Sequence, residues 1–228
     1  MRAKHLVALS ICSVVGTLAV SLAQETPAPE SPPGLQAPAE TAPALPSPVP
    51  ASTSVPEAPF GLEWLASKQA VAAANIELKS QLSTDFGESY VVSSLPKELA
   101  DQYYTVLSFG YDDRLIRITA IGRSLPDDIA GSQVQVRYAE LQDLLRKKYG
   151  PGKAEAHVDS AYEGSRWASG LQAKRNWMHT VFTQGDLKIE LSVFSPGAPN
   201  TQWRIIFEYV PEIQRLERRR QEKEEKAL

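Results

Sequence analysis

The residues from Gln24 to Ala58 cannot build a hydrophobic core, and this confines any fold to the chain that follows them. The stretch holds 10 of the chain's 17 prolines among Ala, Ser, Thr and four Glu, with no Lys, Arg or aromatic residue. Such a composition offers too little apolar surface to offset the entropy lost in ordering the backbone. The sequence therefore predicts a disordered Pro/Ala-rich arm over residues 24–58 and one globular domain over residues 59–211.

Residues 1–23 have the pattern of a secretory signal peptide. Arg2 and Lys4 precede an apolar run from Leu6 to Leu22, and Ser21-Leu22-Ala23 supplies the small residues that signal peptidases accept. We expect cleavage after Ala23 and a periplasmic or secreted protein. The alternative is an uncleaved membrane anchor, because the apolar run approaches the length that spans a bilayer. The arm would then be a tether between the membrane and the domain.

Cysteine content and charge exclude several classes of function. Cys12 is the only cysteine and lies within the predicted signal, so a mature chain would have no disulfide, thiol nucleophile or thiolate metal site. Without Arg2 and Lys4, 22 basic and 27 acidic residues remain, a net charge of −5. Nucleic-acid binding relies on clustered Lys and Arg, and the predicted domain mixes basic and acidic residues without a basic stripe, so we expect no nucleic-acid partner.

Alternation of apolar and polar residues predicts antiparallel strands in two places. The first is a hairpin of residues 102–109 and 115–121 with its turn at Gly110 to Asp113, and Tyr103, Thr105, Leu107 and Phe109 on one face. The second comprises residues 178–184 and 187–194 around Gly185-Asp186, followed by a strand over residues 202–210. One face of these later strands would carry Leu187, Ile189, Leu191, Val193, Trp203, Ile205, Phe207 and Tyr209.

Two segments carry the signals of core helices. Ser67 is a predicted N-cap for a short helix that ends near Asn75. Ser132 is the predicted cap of a longer helix, which Gly150-Pro151 ends because glycine favours a left-handed stop and proline cannot continue a helix. The buried face of the longer helix would comprise Val134, Tyr138, Leu141 and Leu145.

These segments together predict an α+β fold, with an antiparallel sheet built of β-hairpins packed against two main helices. Residues 104–107 and 179–182 align ahead of their turns, which suggests a possible duplicated helix-plus-strands unit. Residues 212–228 predict a charged C-terminal helical tail with ion pairs at i, i+4 spacing. Only Ile213 and Leu216 of this tail could dock on the domain.

The block from Phe60 to Val71 runs from an aromatic-rich turn into the helix that Ser67 would cap. It resembles the start of small uncharacterised secreted and periplasmic bacterial α+β domains, although Leu65 stands where those domains favour glycine. The resemblance covers about a dozen residues. It implies a fold and a compartment and carries no activity.

The sequence predicts no catalytic residue, no metal and no cofactor. His157-Val158-Asp159 would place two possible metal ligands on one face of a strand, but a zinc site needs three or four ligands, which favours a solvated pair. His179 would begin a strand as a surface or half-buried residue. Asp112-Asp113 and Asp127-Asp128 are interpreted as turn residues, because aspartate caps the backbone amides of turns.

One segment, Ser160 to Trp177, combines aromatic and cationic residues with a period that fits neither helix nor strand. Interleaved groups of this kind can stack on sugar rings or hold carboxylates. The competing interpretation is a connection whose two tryptophans close the edge of the core. The candidate ligand-binding residues are Tyr162, Arg166, Trp167, Lys174, Arg175 and Trp177.

These patterns favour an exported, non-enzymatic binding or assembly factor of the bacterial cell envelope. Its partner would be a protein or a cell-wall glycan or peptide, with a membrane involved only if the N-terminal segment is uncleaved. One alternative is an envelope hydrolase with a dispersed acid-base site formed by His157, Asp159 and Arg175. The other is a secreted inhibitor or effector, and no pattern indicates an oligomeric state.

Overall fold

The computed structural model describes residues 55, 57–84, 87–110 and 112–227. The predicted signal peptide and almost all of the predicted arm lie outside the described residues. In the part of the chain that is described, no helix combines the length and the apolar character needed to cross a membrane.

Eight strands form one antiparallel sheet in the order β1-β2-β3-β4-β8-β7-β6-β5. The strands are β1 (Lys79–Thr84), β2 (Gly87–Val92), β3 (Gln102–Phe109), β4 (Leu115–Gly122), β5 (Lys153–His157), β6 (Trp177–Gln184), β7 (Leu187–Gly197) and β8 (Asn200–Tyr209). The helices are α1 (Lys68–Ala73), α2 (Ser132–Tyr149), α3 (Trp167–Gln172) and α4 (Val210–Glu225). The predicted α+β class and antiparallel sheet are confirmed.

The predicted hairpins and the predicted last strand are β3, β4, β6, β7 and β8. The alternating residues that were expected on one face of β7 and β8 are all buried, and so are Thr105, Leu107 and Phe109 of β3. The sequence did not indicate β1, β2 or β5. Strand β5 is exposed at every position and contains Ala, Lys and Glu, which are rare in strands, so its pairing with β6 decides its conformation.

Helix α2 covers one face of the sheet with its predicted apolar stripe. Val134, Tyr138, Leu141 and Leu145 are all buried, in the same core as the apolar residues of β7 and β8. The Tyr138 hydroxyl lies 2.5 Å from Thr180 Oγ1 of β6, and Gln142 Nε2 donates to the same oxygen at 2.8 Å. Thr180 therefore lies on the face of β6 that points toward α2.

The predicted helix ends are correct in two places and wrong in one. Ser67 Oγ accepts the Ala70 N–H at 3.1 Å, and Gly150 ends α2 at φ 86° with its N–H bonded to the Arg146 carbonyl. Ser132, however, is the first residue of α2 and not its cap. Asp128 takes that role, because its carboxylate accepts the N–H groups of Gln133 and Val134.

Two further helices contact the sheet, so the expectation of two main helices is incomplete. The six-residue α3 packs against β7, and α4 follows β8 directly. Ile213 and Leu216 of α4 are buried against Ile116, which confirms their predicted docking. Beyond Leu216 the helix is exposed, apart from pairs such as Arg219 with Asp112 at 3.5 Å.

The sheet order places the first four strands on one side of the β4–β8 pair and the last four on the other. The residues aligned as a repeat, 104–107 and 179–182, lie in β3 and β6, which are the third strand of one half and the second of the other. That alignment therefore does not match strands of equal position. The duplication itself stays a prediction.

Candidate functional site

The segment of residues 160–177 is ordered around one buried asparagine. It contains α3 and two short 3-10 turns, where the sequence had suggested no regular structure. Asn176, which is 2 % exposed, accepts the Asp159 N–H at 2.9 Å and donates to the carbonyls of Tyr162 and Trp167. A Cβ at Gly170 would overlap the same amide, so this glycine allows the close approach.

The two tryptophans of this segment have different environments. Trp167 is 6 % exposed and packs over Gly131, where a Cβ would overlap the indole ring. Its position agrees with the interpretation in which a tryptophan closes the core. Trp177 is 39 % exposed and opens β6. Of the two, only Trp177 can present its ring to a partner.

The polar candidates lie on the surface of the segment. Tyr162 is half-buried in a 3-10 turn, and Arg166, Lys174 and Arg175 are exposed. Within the described residues, none of the three cations forms a salt bridge. Lys174 has φ 57°, so it occupies the turn between α3 and β6. The fold thus leaves these three positive charges facing water, and Lys174 and Arg175 are adjacent in sequence.

Trp177 lies on the sheet face that points away from α2. Successive side chains of a strand alternate between faces, and Thr180 of β6 contacts α2, so Trp177, His179 and Val181 point to the opposite side. We call that side the open face. Its width follows from the register, which joins six strands in one row formed by Tyr104, Ile121, Arg204, Ser192, His179 and Glu155.

Two imidazole rings stack against the indole of Trp177. His157 is its cross-strand partner on β5, with ring centroids 6.0 Å apart, and His179 lies two residues along β6 at 5.2 Å. The interplanar angles are 27° and 24°. These contacts hold the indole in a fixed orientation, which reduces the conformational entropy lost when a partner binds.

Charges surround this stack. The Glu155 carboxylate accepts a hydrogen bond from Lys153, 2.6 Å away, which is the main reason that the pKa of Glu155 lies below its ordinary value. The same carboxylate is 3.8 Å from His179 Nε2. On the neighbouring strands, the Arg204 guanidinium lies 6.0 Å from the ring of Phe194. The site therefore offers aromatic area together with charges of both signs.

A second aromatic group lies near the other end of the row. Tyr103 is the residue that bulges out of the β3–β4 register, it is 64 % exposed, and its ring contacts that of Tyr104 at 5.4 Å. The two rings border a shallow open depression of about 430 Å³ that Val91 and Val106 also line. With neighbouring strands about 4.8 Å apart, five strand spacings separate Tyr104 from Glu155 by about 24 Å.

The residues of the hydrolase alternative have separate surroundings. His157 is exposed and stacks on Trp177, while Arg175 is exposed in the turn before β6. Asp159 lies beyond the end of β5 and caps a 3-10 turn by accepting the Ala161 N–H at 2.9 Å. The expected placement of His157 and Asp159 on one face of a strand is wrong. No group of three or more His, Cys, Asp or Glu could hold a metal ion among the residues described.

Sequence reasoning found Trp177 but missed the residues that surround it. The spacing of Trp177 and His179 at i, i+2 was the available signal, because an alternating strand places both on one face. His157 joins them through the pairing of β5 with β6, and β5 was not predicted. Asn176 carried no signal at all, since its role depends on three backbone groups from separate turns.

Comparisons of this chain with protein-family models, with curated proteins and with solved structures find no match. The interpretation of the site therefore depends on its own geometry. The open face is wide and partly aromatic, and its best-defined exposed group is the stacked Trp177.

Proposed function

We propose that this protein is an exported, non-enzymatic binding or assembly factor of the bacterial cell envelope that holds a protein partner on its open face. The observation that carries the proposal is the exposed indole of Trp177, stacked against His157 and His179. Tryptophan, tyrosine and arginine dominate the binding energy of protein interfaces, and all three are present on this face.

The dimensions of the face favour a protein over a small ligand. The row of side chains from Tyr104 to Glu155 spans about 24 Å, which suits a patch of about 800 Å² per partner. Small ligands instead favour concave sites that enclose most of their surface. Arg204 of β8 with Lys188 and Glu190 of β7 supply the polar groups from which an interface obtains specificity.

Export is the second part of the proposal, and it rests on the sequence of residues 1–23. A basic start, an apolar run and small residues before Gln24 are the features that secretion requires. An intact mass that begins at Gln24, measured on protein from the periplasmic or culture fraction, would support it. A full-length chain in the membrane fraction would make the proline-rich arm a tether instead.

We also retain the proposal that the domain contains a duplicated helix-plus-strands unit. It is supported by the four successive antiparallel strands on each side of the β4–β8 pair. Under this proposal each half contributes one aromatic group to the open face, Tyr103 and Tyr104 from the first and Trp177 from the second.

Site-specific photo-crosslinking in the native envelope tests the binding face. A crosslinking amino acid at Thr183, an exposed position of the open face, should capture one specific protein, and Trp177→Ala should abolish that capture. The matched control places the same amino acid at Val136, which is 63 % exposed on α2. The control position should not capture this protein.

The thermal melt separates binding from folding in this experiment. Because Trp177 is partly exposed, Trp177→Ala should change the stability by less than about 1 kcal/mol. Equal capture from Thr183 and Val136, or capture that survives Trp177→Ala, would contradict the proposed face. Attachment of a cell-wall fragment in place of a protein would refute the proposed class of partner.

A further inference from the structure

A concave site lies on the side of the sheet that carries α2, opposite the open face. It is an apolar cleft of about 260 Å³ between α2 and the segments around Phe60 and Leu99. Its floor is formed by Ile205 and Phe207 of β8, which are 2 % and 4 % exposed. The volume is close to the lower end of the range typical of small-molecule pockets.

Aromatic packing shapes the walls of the apolar cleft. The ring of Phe60 meets that of Phe207 edge-on at 5.6 Å, and Tyr149 lies 6.2 Å from the same ring. The Lys97 N–H donates to the Phe60 carbonyl at 3.2 Å and joins the two segments of one wall. The cleft is therefore built by contacts between aromatic rings and by a backbone hydrogen bond.

The mouth of the cleft leaves one large apolar side chain in water. Leu144 on α2 is 51 % exposed, whereas Leu141 and Leu145 on the adjoining face of the helix are buried. A bound apolar group that covers this leucine would stabilise the complex by about 25 cal/mol for each Å² of apolar surface removed from water. The exposed leucine thus extends the apolar lining out to the surface.

Two lysines stand at the rim. Lys97 and Lys148 line the cleft, and among the described residues neither pairs with a carboxylate. Lys148 Nζ lies 5.2 Å from the centre of the Tyr149 ring. Glu98 also lines the cleft, but its Oε1 accepts the Leu95 N–H at 2.6 Å. Two lysines and one glutamate give the rim a net positive charge.

We propose that the apolar cleft binds a free medium-chain fatty acid, with its alkyl chain over Ile205 and Phe207 and its carboxylate between Lys97 and Lys148. The lining matches an alkyl chain, and the two ammonium groups match one negative charge. An apolar peptide or an alcohol of equal length would contact the apolar lining but would offer no negative charge to the two lysines. The proposal is independent of the partner proposed for the open face.

Isothermal titration of the full-length chain with sodium decanoate, decanol and butyrate tests the proposal. Decanoate should bind saturably with one site per chain. Decanol should bind at least about tenfold more weakly because it lacks the charge that the lysines attract, and butyrate should not bind because its chain is too short. Equal binding of decanol and decanoate would overturn the assignment of the lysines.

Variants locate the site within the same titration. Leu144→Asp should abolish decanoate binding by placing a charge at the mouth, whereas Val136→Asp on an exposed position of the same helix should leave binding unchanged. Lys97→Gln with Lys148→Gln should weaken decanoate at least about fivefold and leave decanol unaffected, with Lys147→Gln as the control.

Two results would refute the proposal. Decanoate that binds Leu144→Asp as tightly as the unchanged chain would place the ligand elsewhere. Binding of a peptide of residues 41–55, with no binding of decanoate, would assign the cleft to the proline-rich arm. Because Leu144 and Val136 are exposed, their variants are expected to fold, and equal melting temperatures would verify this.

Discussion

The indole N–H of Trp203 donates a hydrogen bond of 2.7 Å to Asp101 Oδ2 and so joins the central strand β8 to the residue that precedes β3. Arg137 of α2 completes the arrangement, since its Nε donates to the same oxygen at 2.9 Å. A Cβ at Gly122 would overlap the Trp203 ring, so glycine at this position leaves room for the indole. Three elements that are distant in sequence thus meet at one carboxylate.

Asp101→Asn should lower stability at neutral pH and lower it less in acid. Burial alone would raise the pKa of Asp101, but the hydrogen bonds from Arg137 and Trp203 outweigh burial and hold it below its ordinary value. The carboxylate therefore contributes stability in full above its unfolded pKa of about 4 and loses that contribution as the pH falls through the folded pKa.

Urea denaturation between pH 7 and pH 2 measures this difference. We expect Asp101→Asn to cost about 1–2 kcal/mol at pH 7, since it removes charge-assisted hydrogen bonds that remain partly open to water, and to cost progressively less as the pH falls below about 4. Asp143→Asn, at an exposed carboxylate of α2, is the control and should change stability little at any pH. A cost for Asp101→Asn that is independent of pH would contradict the assignment.

The cap of α2 gives a prediction that distinguishes two neighbouring side chains. Asp128 is 2 % exposed, accepts two N–H groups of the first turn and receives the Thr201 hydroxyl at 2.7 Å. Asp128→Ala should therefore cost about 2–3 kcal/mol, whereas Ser132→Ala should cost less than about 0.5 kcal/mol. Chemical denaturation measures the stability of both variants. Equal losses of stability would contradict the assignment of the cap to Asp128 over Ser132.

A glycine under Trp167 gives the third prediction. Gly131 has φ 72° and a Cβ there would overlap the indole ring, so Gly131→Ala should add steric conflict to backbone strain. Gly164, with φ 54° and open space around it, would suffer only the strain. We expect a loss of more than about 3 kcal/mol for Gly131→Ala and of about 1 kcal/mol for Gly164→Ala. Similar thermal melts of the two variants would show that Trp167 can move away.

Local patterns in this chain predicted the strands and helices whose residues alternate strongly. Strand β7 is recognisable because Leu187, Ile189 and Leu191 alternate with charged and polar residues, and burial on one side of a strand produces that pattern directly. The capping role of Asp128 was missed for a different reason. A carboxylate four residues before the helix acts as a cap only because the turn at Gly131 folds it back.

The candidate site was only partly predictable, because cross-strand neighbours determine it. Trp177 was identified from its own residue type, but the rings beside it come from pairing with β5, a strand without apolar alternation. The apolar cleft was not predicted at all. Its floor at Phe207 and its wall at Phe60 lie about 150 residues apart in the chain, and no short-range pattern joins them.

The last helix gives a prediction that separates its anchored start from its exposed remainder. Ile213 and Leu216 pack on Ile116, and Arg215 pairs with Asp112 at 2.7 Å, all within the first two turns of α4. Residues 218–227 are all exposed, and the contacts described for them are surface ion pairs, so deletion of residues 218–228 should cost less than about 1 kcal/mol. Leu216→Asp should cost more than about 3 kcal/mol, because it places a carboxylate against Ile116. Chemical denaturation measures the loss of stability in both variants, with Glu217→Ala as the neighbouring control. A deletion as costly as Leu216→Asp would mean that residues 218–228 stabilise the domain through contacts other than these.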